Sequence, residues 1–429
     1  MAVAPTLLVG LGGTGSDILN RVSSLLNEEQ KNKVSFCILD TDVNELAEIK
    51  EKNPDINIIQ TSANSTVGEY LSLDRNALDN WFPVNQILNR KALTEGAGQV
   101  RAISRLAFDA VIKRDGMEEL HNAVDKLFKL TNSDKQQALR VVIVSSLAGG
   151  TGSGILLPTA LYIKKYLKSR FPQLSCITRG FFILPEVFFD VIKGNAERDN
   201  LRCNAYATLR ELDAFLMKGD GSLAKKYHDH VKLSFPKSNS THYEEINEMP
   251  YDYCFLFDSV NIDGKTMSSF PQYKEHAANC IYAQSIGPMN KRSNSSEDNT
   301  IREIAKQGGR NRYAAAGSAV LKYPWQDIRD YIAYQWAKEC ISSQWLRFDN
   351  ELNNIRKANI DLRAAGHYIK DTDRGDEYVQ VIESQKAADI PFAKFIANQL
   401  EKRMTKGKSW GHRTRIISVG LGLLWMVNC

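Results

Sequence analysis

Apolar positions follow two alternating rhythms over roughly the first 190 residues. Short apolar runs at Thr6–Val9, Val34–Leu39, Arg140–Ser145 and Ile177–Leu184, with a weaker one at Ile56–Ile59, read as strands. Between them the apolar residues recur at helical spacing. Ser16–Leu26 carries Ile18, Leu19, Val22, Leu25 and Leu26, and Gln99–Ile112, Met117–Leu130 and Ile155–Leu167 read as further helices. Strands separated by helices predict an α/β fold with a parallel sheet covered on both faces. Farther on, the pattern predicts a helix over Asn195–Met217, an aromatic-rich strand at Tyr253–Phe257 and a long helix from Tyr273 to Ile286. Residues 61–95 and 219–250, rich in Ser, Asn, Lys and Asp, read as surface insertions, and Asn290–Asn299 as a polar loop. Beyond Trp325 the chain turns helical and charged, with Ile328, Ile332, Trp336 and Ile341 at amphipathic spacing within 326–405.

Bulk properties narrow the classes without choosing one. The 429 residues suffice for two domains, or for one large domain with a helical extension. A hydrophobic share of 43% and a charged share of 24% are those of an ordinary globular protein with a core. A formal net charge of +5 with no basic tract gives no indication of a nucleic-acid partner. The seven cysteines are scattered, odd in number and without Cys-x-x-Cys spacing, which predicts reduced thiols in the cytoplasm and no zinc site. The first residues run straight into a glycine turn and read as a strand, not a signal peptide. The apolar run Ile416–Val427, interrupted by Ser418, Gly420 and Gly422, is shorter than the roughly 20 residues of a membrane span. It suggests a chain cut short, a frame change, or a strand that packs on something outside this chain.

Two glycine turns carry the chemistry. Gly10-Leu-Gly12-Gly13-Thr14-Gly15-Ser16 lies between a strand and a helix, where close backbone approach and free amides suit a phosphate. Taken alone it fits a dinucleotide fingerprint, Gly10-x-Gly12-x-x-Gly15, or a tight structural turn. The second turn, Ala148-Gly149-Gly150-Thr151-Gly152-Ser153-Gly154, again follows an apolar strand and opens a helix. It is a nest of amide donors with two hydroxyls beside it, and no lysine follows it as in a Walker A loop. One dinucleotide fold has no use for a second such turn, whereas two on neighbouring strands converge on one polyphosphate.

The second turn resembles the signature loop of the tubulin/FtsZ superfamily, and other segments follow in that family's order. Gly10 to Asn20-Arg21 resembles its first glycine loop and helix, and Asp40-Thr41-Asp42 with Glu45-Leu46 its segment after the second strand. Gly96-Ala97-Gly98 resembles its third phosphate loop and Ala277-Ala278-Asn279 the start of its central helix. Arg312-Tyr313-Ala-Ala-Ala-Gly317-Ser318 resembles the first strand of its second domain. The resemblance spans residues 6–320, and its divergence points to the bacterial tubulin-like group. It implies a tubulin-like GTP-binding domain over 1–265, a central helix, loop and start of a second domain over 266–325, and a helical region with an apolar tail over 326–429.

The same resemblance assigns roles. Gly12, Gly13, Thr14, Gly15, Gly98, Ala148, Gly149, Gly150, Thr151, Gly152, Ser153 and Gly154 would line the phosphates of GTP. Asp40 and Asp42 would hold Mg²⁺ through water, against a reading as solvated turn acids. Glu197 and Arg202 fall where the family contacts ribose and phosphate, against a surface ion pair, and Asn279 would read the guanine edge. Asp258 is a further candidate near base or ribose. Hydrolysis would be completed by an acid from the next subunit, here Glu297 or Asp298, on a loop that lacks the family's Asn-x-Asp pattern and carries Lys291 and Arg292. The implied partner is the chain itself, as an oligomer or filament, with other proteins on the C-terminal helices. The alternatives are a scaffold that holds nucleotide without hydrolysing it and a Rossmann-type oxidoreductase.

Overall fold

The computed structural model describes residues 5–94, 98–130, 138–240, 242–261, 263–267, 269–287, 300, 303, 312–318 and 324–342. The chain divides into two compact units, Met1–Val320 and Leu321–Cys429. In the first, seven strands form one sheet: β1 (Thr6–Leu11), β2 (Val34–Asp40), β3 (Asn57–Gln60), β4 (Ala138–Ser146), β5 (Ser175–Ile183), β8 (Tyr253–Phe257) and β9 (Tyr313–Ala315). β6 (Leu233–Pro236) and β7 (Tyr243–Ile246) make a separate antiparallel pair. The large sheet runs β3-β2-β1-β4-β5-β8-β9, and every pairing in it is parallel. Strand order reverses between β1 and β4, and in open α/β sheets such a switch point leaves a crevice at the strands' carboxyl ends.

The helices are α1 (Gly12–Leu25), α2 (Glu28–Lys31), α3 (Val43–Lys52), α4 (Val67–Leu73), α5 (Asn76–Asn80), α6 (Gln86–Asn89), α7 (Arg101–Lys113), α8 (Glu118–Leu130), α9 (Gly150–Arg170), α10 (Asn195–Gly219), α11 (Phe270–Ser285) and, in the second unit, α12 (Trp325–Cys340). Alternate residues of each central strand feed two cores. Leu7, Val9, Val141 and Ile143 pack with α8 and α9, while Leu8, Val142 and Val144 pack with α1 and α11. Burial on both faces explains why these strands read as unbroken apolar runs rather than alternating ones. A third cluster joins Val67, Leu71, Ala77 and Phe82 from residues 61–95 to Ile103, Leu106 and Ala110 of α7. Within α12, Trp325, Ile328, Ile332 and Trp336 recur at helical spacing and are exposed. Among the described residues no helix is long and apolar enough to cross a membrane.

Candidate functional site

Parallel pairing of β1 with β4, Leu11 opposite Ser145, sets the two glycine turns side by side at the sheet's carboxyl edge. Gly12 adopts φ +69°, a left-handed backbone that side chains disfavour, and its missing Cβ would lie 3.2 Å from the Gly152 nitrogen. Gly15, Gly152 and Gly154 face packing rather than ligand: a Cβ there would strike the Val144 carbonyl, the Ser145 hydroxyl and the Arg101 carbonyl respectively.

A cleft of about 600 Å³ opens beside these turns. One end is lined by Gly13 and Thr14 of α1, Gly98 and Gln99 ahead of α7, and Gly150 and Thr151 of α9. The segment Asp40 to Asp42 and the α3 side chains Glu45, Glu48, Ile49 and Lys52 form a wall. Asp17 and Asn20 of α1, with Phe270 and Lys274 of α11, close the other end.

Helix termini distinguish the ends chemically. Neither α1 nor α9 has a side-chain cap or an acidic residue in its first turn, so both present uncapped amides and a positive dipole end beside the cleft. By contrast α3 is capped: Asp42 Oδ1 accepts from the Asn44 amide at 2.8 Å and the Glu45 amide at 3.2 Å. The end suited to an anion is therefore the one where α1 and α9 meet. Thr41 Oγ1 and Thr151 Oγ1, 3.0 Å apart, tie the β2 end to α9.

The wall is acidic. Asp40 is only 3% exposed, and its Oδ1 accepts the Thr41 amide at 2.6 Å and the Asp42 amide at 3.4 Å. Its Oδ2 is buried, and the Thr151 hydroxyl is the side-chain group nearest to partnering the carboxyl. Burial pushes the Asp40 carboxyl upward against those amide bonds. Glu45 leans over Gly13, and its carboxyl is also raised, first by burial and then by the charges of Asp40 and Asp42. A buried carboxylate with an under-satisfied oxygen beside two uncapped helix starts suits a hard cation such as Mg²⁺, which needs one or two carboxylates plus phosphate oxygens and water. Among the described residues no group of three His, Cys, Asp or Glu forms a complete protein-built metal site.

Of the residues singled out from sequence, Gly13, Thr14, Gly98, Gly150, Thr151, Asp40 and Asp42 line the cleft together. Gly12, Gly15, Ala148, Gly149, Gly152, Ser153 and Gly154 are not part of the lining; the Ser153 hydroxyl donates back to the carbonyl of Gly149, the residue that precedes α9. Glu197 is exposed, its carboxylate lying against Gly194. Arg202 pairs with Asp199 at 3.3 Å and stacks on Phe189, away from the lining. Asn279 is half-buried in the middle of α11 and lies outside the lining, as does exposed Asp258. Glu297 and Asp298 lie outside the described residues.

Asp17, Asn20, Thr41 and Glu45 also line the cleft; the sequence reading has them inside its motifs without a role, and it does not single out Glu48, Ile49, Lys52, Gln99, Phe270 or Lys274. Phe270 and Lys274 share a face of α11 at i, i+4 spacing, with the Lys274 ammonium 4.6 Å above the Phe270 ring. Lys274 also pairs with Asp17 across α1 and α11. The i, i+4 aromatic–lysine pair ahead of Ala277 was the available signal.

A protein-family model described as tubulin like matches residues 7–342. Among solved structures, the GDP-bound monomer of CetZ1 from Haloferax volcanii is similar at 16% identity, with 72% of this chain and 65% of that chain covered and a TM-score of 0.38. CetZ2 from the same organism, as a GTPγS-bound protofilament, is 14% identical over 70% of this chain and 63% of that one, with a TM-score of 0.33. A GTPγS-form protofilament of TubZ from Bacillus thuringiensis serovar israelensis is 11% identical over 67% and 57%, also at 0.33. The matched region is thus less than two thirds of the length of each of these three chains. No curated protein matches the sequence.

Proposed function

The chain belongs to the tubulin-like family, and we propose that it holds GTP in the β1/β4 cleft and self-associates in a nucleotide-dependent way. The observation that carries the nucleotide is the meeting of two uncapped helix N-termini, through Gly13-Thr14 and Gly150-Thr151, on one cleft at the switch point of the sheet. Phosphates fit that end. The opposite end offers an aromatic ring, an ammonium and a carboxylate in Phe270, Lys274 and Asp17, a set suited to a purine with a polar edge. Guanine presents acceptors at O6 and N7 to a lysine and donors at N1 and the 2-amino group to a carboxylate; adenine reverses that pattern at its six-position edge. Asp40, and Asp42 beyond its capping role, would hold Mg²⁺, which when bound neutralises phosphate charge.

Family membership supports self-association, with hydrolysis completed by Glu297 or Asp298 of a neighbouring copy. The test is sedimentation of the full chain with GTP or GDP, with phosphate release followed in the same tube. A pellet with GTP and not GDP, and release that steepens with protein concentration, is the expected result. Absence of both would overturn the polymerising reading and leave a scaffold that holds nucleotide without turnover, which the Lys291-Arg292 pair beside the candidate acids favours. The second glycine turn on the same cleft argues against a dinucleotide oxidoreductase, which needs only one.

A further inference from the structure

We propose that Asn204 of α10, a residue outside the cleft, is a positioning residue that aims the backbone amides of two phosphate loops. The inference rests on the reading of the cleft as a nucleotide polyphosphate site. The Asn204 side-chain amide has two N–H donors, and both are committed: Nδ2 donates to the Gln99 carbonyl at 2.9 Å and to the Ala148 carbonyl at 3.0 Å. Those carbonyls belong to separate loops, one leading into α7 and the other into α9. In a planar trans peptide the N–H points opposite to its C=O. Fixing the oxygens of Gln99 and Ala148 toward α10 therefore turns the amides of Val100 and Gly149 away from α10. One side chain sets the direction of a donor in each loop.

Two further contacts make α10 a backing plate. Glu211 lies seven residues on, two turns along the same face. It accepts from Arg101 Nη1 at 3.0 Å and Nη2 at 2.6 Å, and that Nη2 also reaches the Ser153 carbonyl at 3.3 Å. The clasp holds a conformation that would otherwise relax. Gln99 adopts φ +64°, uncommon for a residue with a side chain, and its backbone lies directly over Gly150. Donors oriented before the ligand arrives need no reordering when it binds.

The test uses the full chain and competition titration against a fluorescent GTP analogue, with GTP, GDP and GMP as competitors. Asn204→Ala is expected to weaken GTP about tenfold or more and GMP much less, so the loss grows with the number of phosphates. Asn204→Asp, equal in size but without a donor and facing two carbonyls, is expected to lose more. Amide exchange at residues 98–101 and 148–151 should rise together in either variant. An equal loss for GTP and GMP, or unchanged exchange in both loops, would overturn the proposal. If the wild type bound no GTP, the reading of the cleft would fail, while the exchange comparison would still decide whether Asn204 holds the loops. Should Asn204→Ala not fold, Glu211→Gln is expected to give the same phosphate-dependent order with smaller losses, and equal losses there would count against the proposal.

Discussion

Gly149 and Gly150 are adjacent, yet adding one methyl group to each should have opposite consequences. A Cβ on Gly150 would lie 2.7 Å from the Gln99 Cα and 2.9 Å from its carbonyl carbon and nitrogen, all backbone atoms. Ordinary carbon contacts begin near about 3.4 Å, so the surfaces must part by roughly 0.7 Å at the Gln99 Cα. The α9 side cannot yield: Gly152, Ile155 and Leu156 are buried, and Gly152 already abuts Ser145 and Ser146. The Gln99 loop must therefore lift, stretching the 2.9 Å bond from Asn204 to the Gln99 carbonyl to about 3.6 Å, past the limit of a hydrogen bond. Losing that bond and misdirecting one amide costs about 1–3 kcal/mol of binding, or roughly 10- to 100-fold in affinity. Folding should lose only part of the usual overpacking cost of about 1–3 kcal/mol, because alanine gains up to about 1 kcal/mol over glycine in a helix. Around Gly149, in contrast, a Cβ would meet nothing within 4 Å, and its φ of −72° and ψ of 167° suit alanine. Gly149→Ala should lose only the cap preference, about 0.5–1 kcal/mol of stability, and keep its affinity. Titration with a fluorescent GTP analogue beside thermal unfolding separates the two. Equal affinity losses in both variants, or wild-type binding by Gly150→Ala, would refute the reasoning.

Two other substitutions probe the ends of the cleft. Asp40→Asn keeps an oxygen acceptor for the Thr41 and Asp42 amides but removes a buried charge. Because the folded-state pKa of Asp40 lies above its unfolded value, its ionised form opposes folding and that cost fades as pH falls. The variant should thus melt higher than wild type at pH 7 without ligand, with the gap closing toward about pH 4, and should lose the Mg²⁺ enhancement of GTP affinity; a lower melting point at pH 7 would count against it. Asp17→Asn exchanges an acceptor for a mixed amide edge, so GTP affinity should fall and that for xanthosine triphosphate, which carries a 2-oxo group, should rise. Loss of both nucleotides would mean that Asp17 serves only its partners Arg21 and Lys274.

The sheet was legible because its strands are buried on both faces: Val141 to Val144 need no polar alternation to be recognised. Helix starts were less so. The apolar rhythm of α9 begins at Ile155, yet the helix begins at Gly150, since a first turn that offers amides to a ligand needs no apolar side chains. The start of α11 is offset in the same way. The sequence pattern opens at Tyr273, whereas the helix opens at Phe270 with Pro271 in its first turn, a start signal that fixes the face. Asn279 follows Lys274 by five residues, about 140° around the helix, and so lies on a different face from the lining residues Lys274 and Phe270.

Within the glycine turns the limit is of another kind. Binding a phosphate and packing against a neighbouring strand both require the absence of a Cβ, and a glycine carries no side chain to tell which requirement applies. What an added methyl would strike does tell: the Ser145 hydroxyl at Gly152, the Val144 carbonyl at Gly15, the roof of the cleft at Gly150 and nothing at Gly149. The motif thus combines packing positions and ligand-facing positions in one run of residues. Asn204 extends the point, because the residue that clasps this run to the Gln99 loop lies on a helix 50 residues downstream. Its role comes from two carbonyl oxygens that no side-chain pattern records. Amide direction, rather than glycine content, is what separates a phosphate cradle from a tight turn, and here α10 sets it.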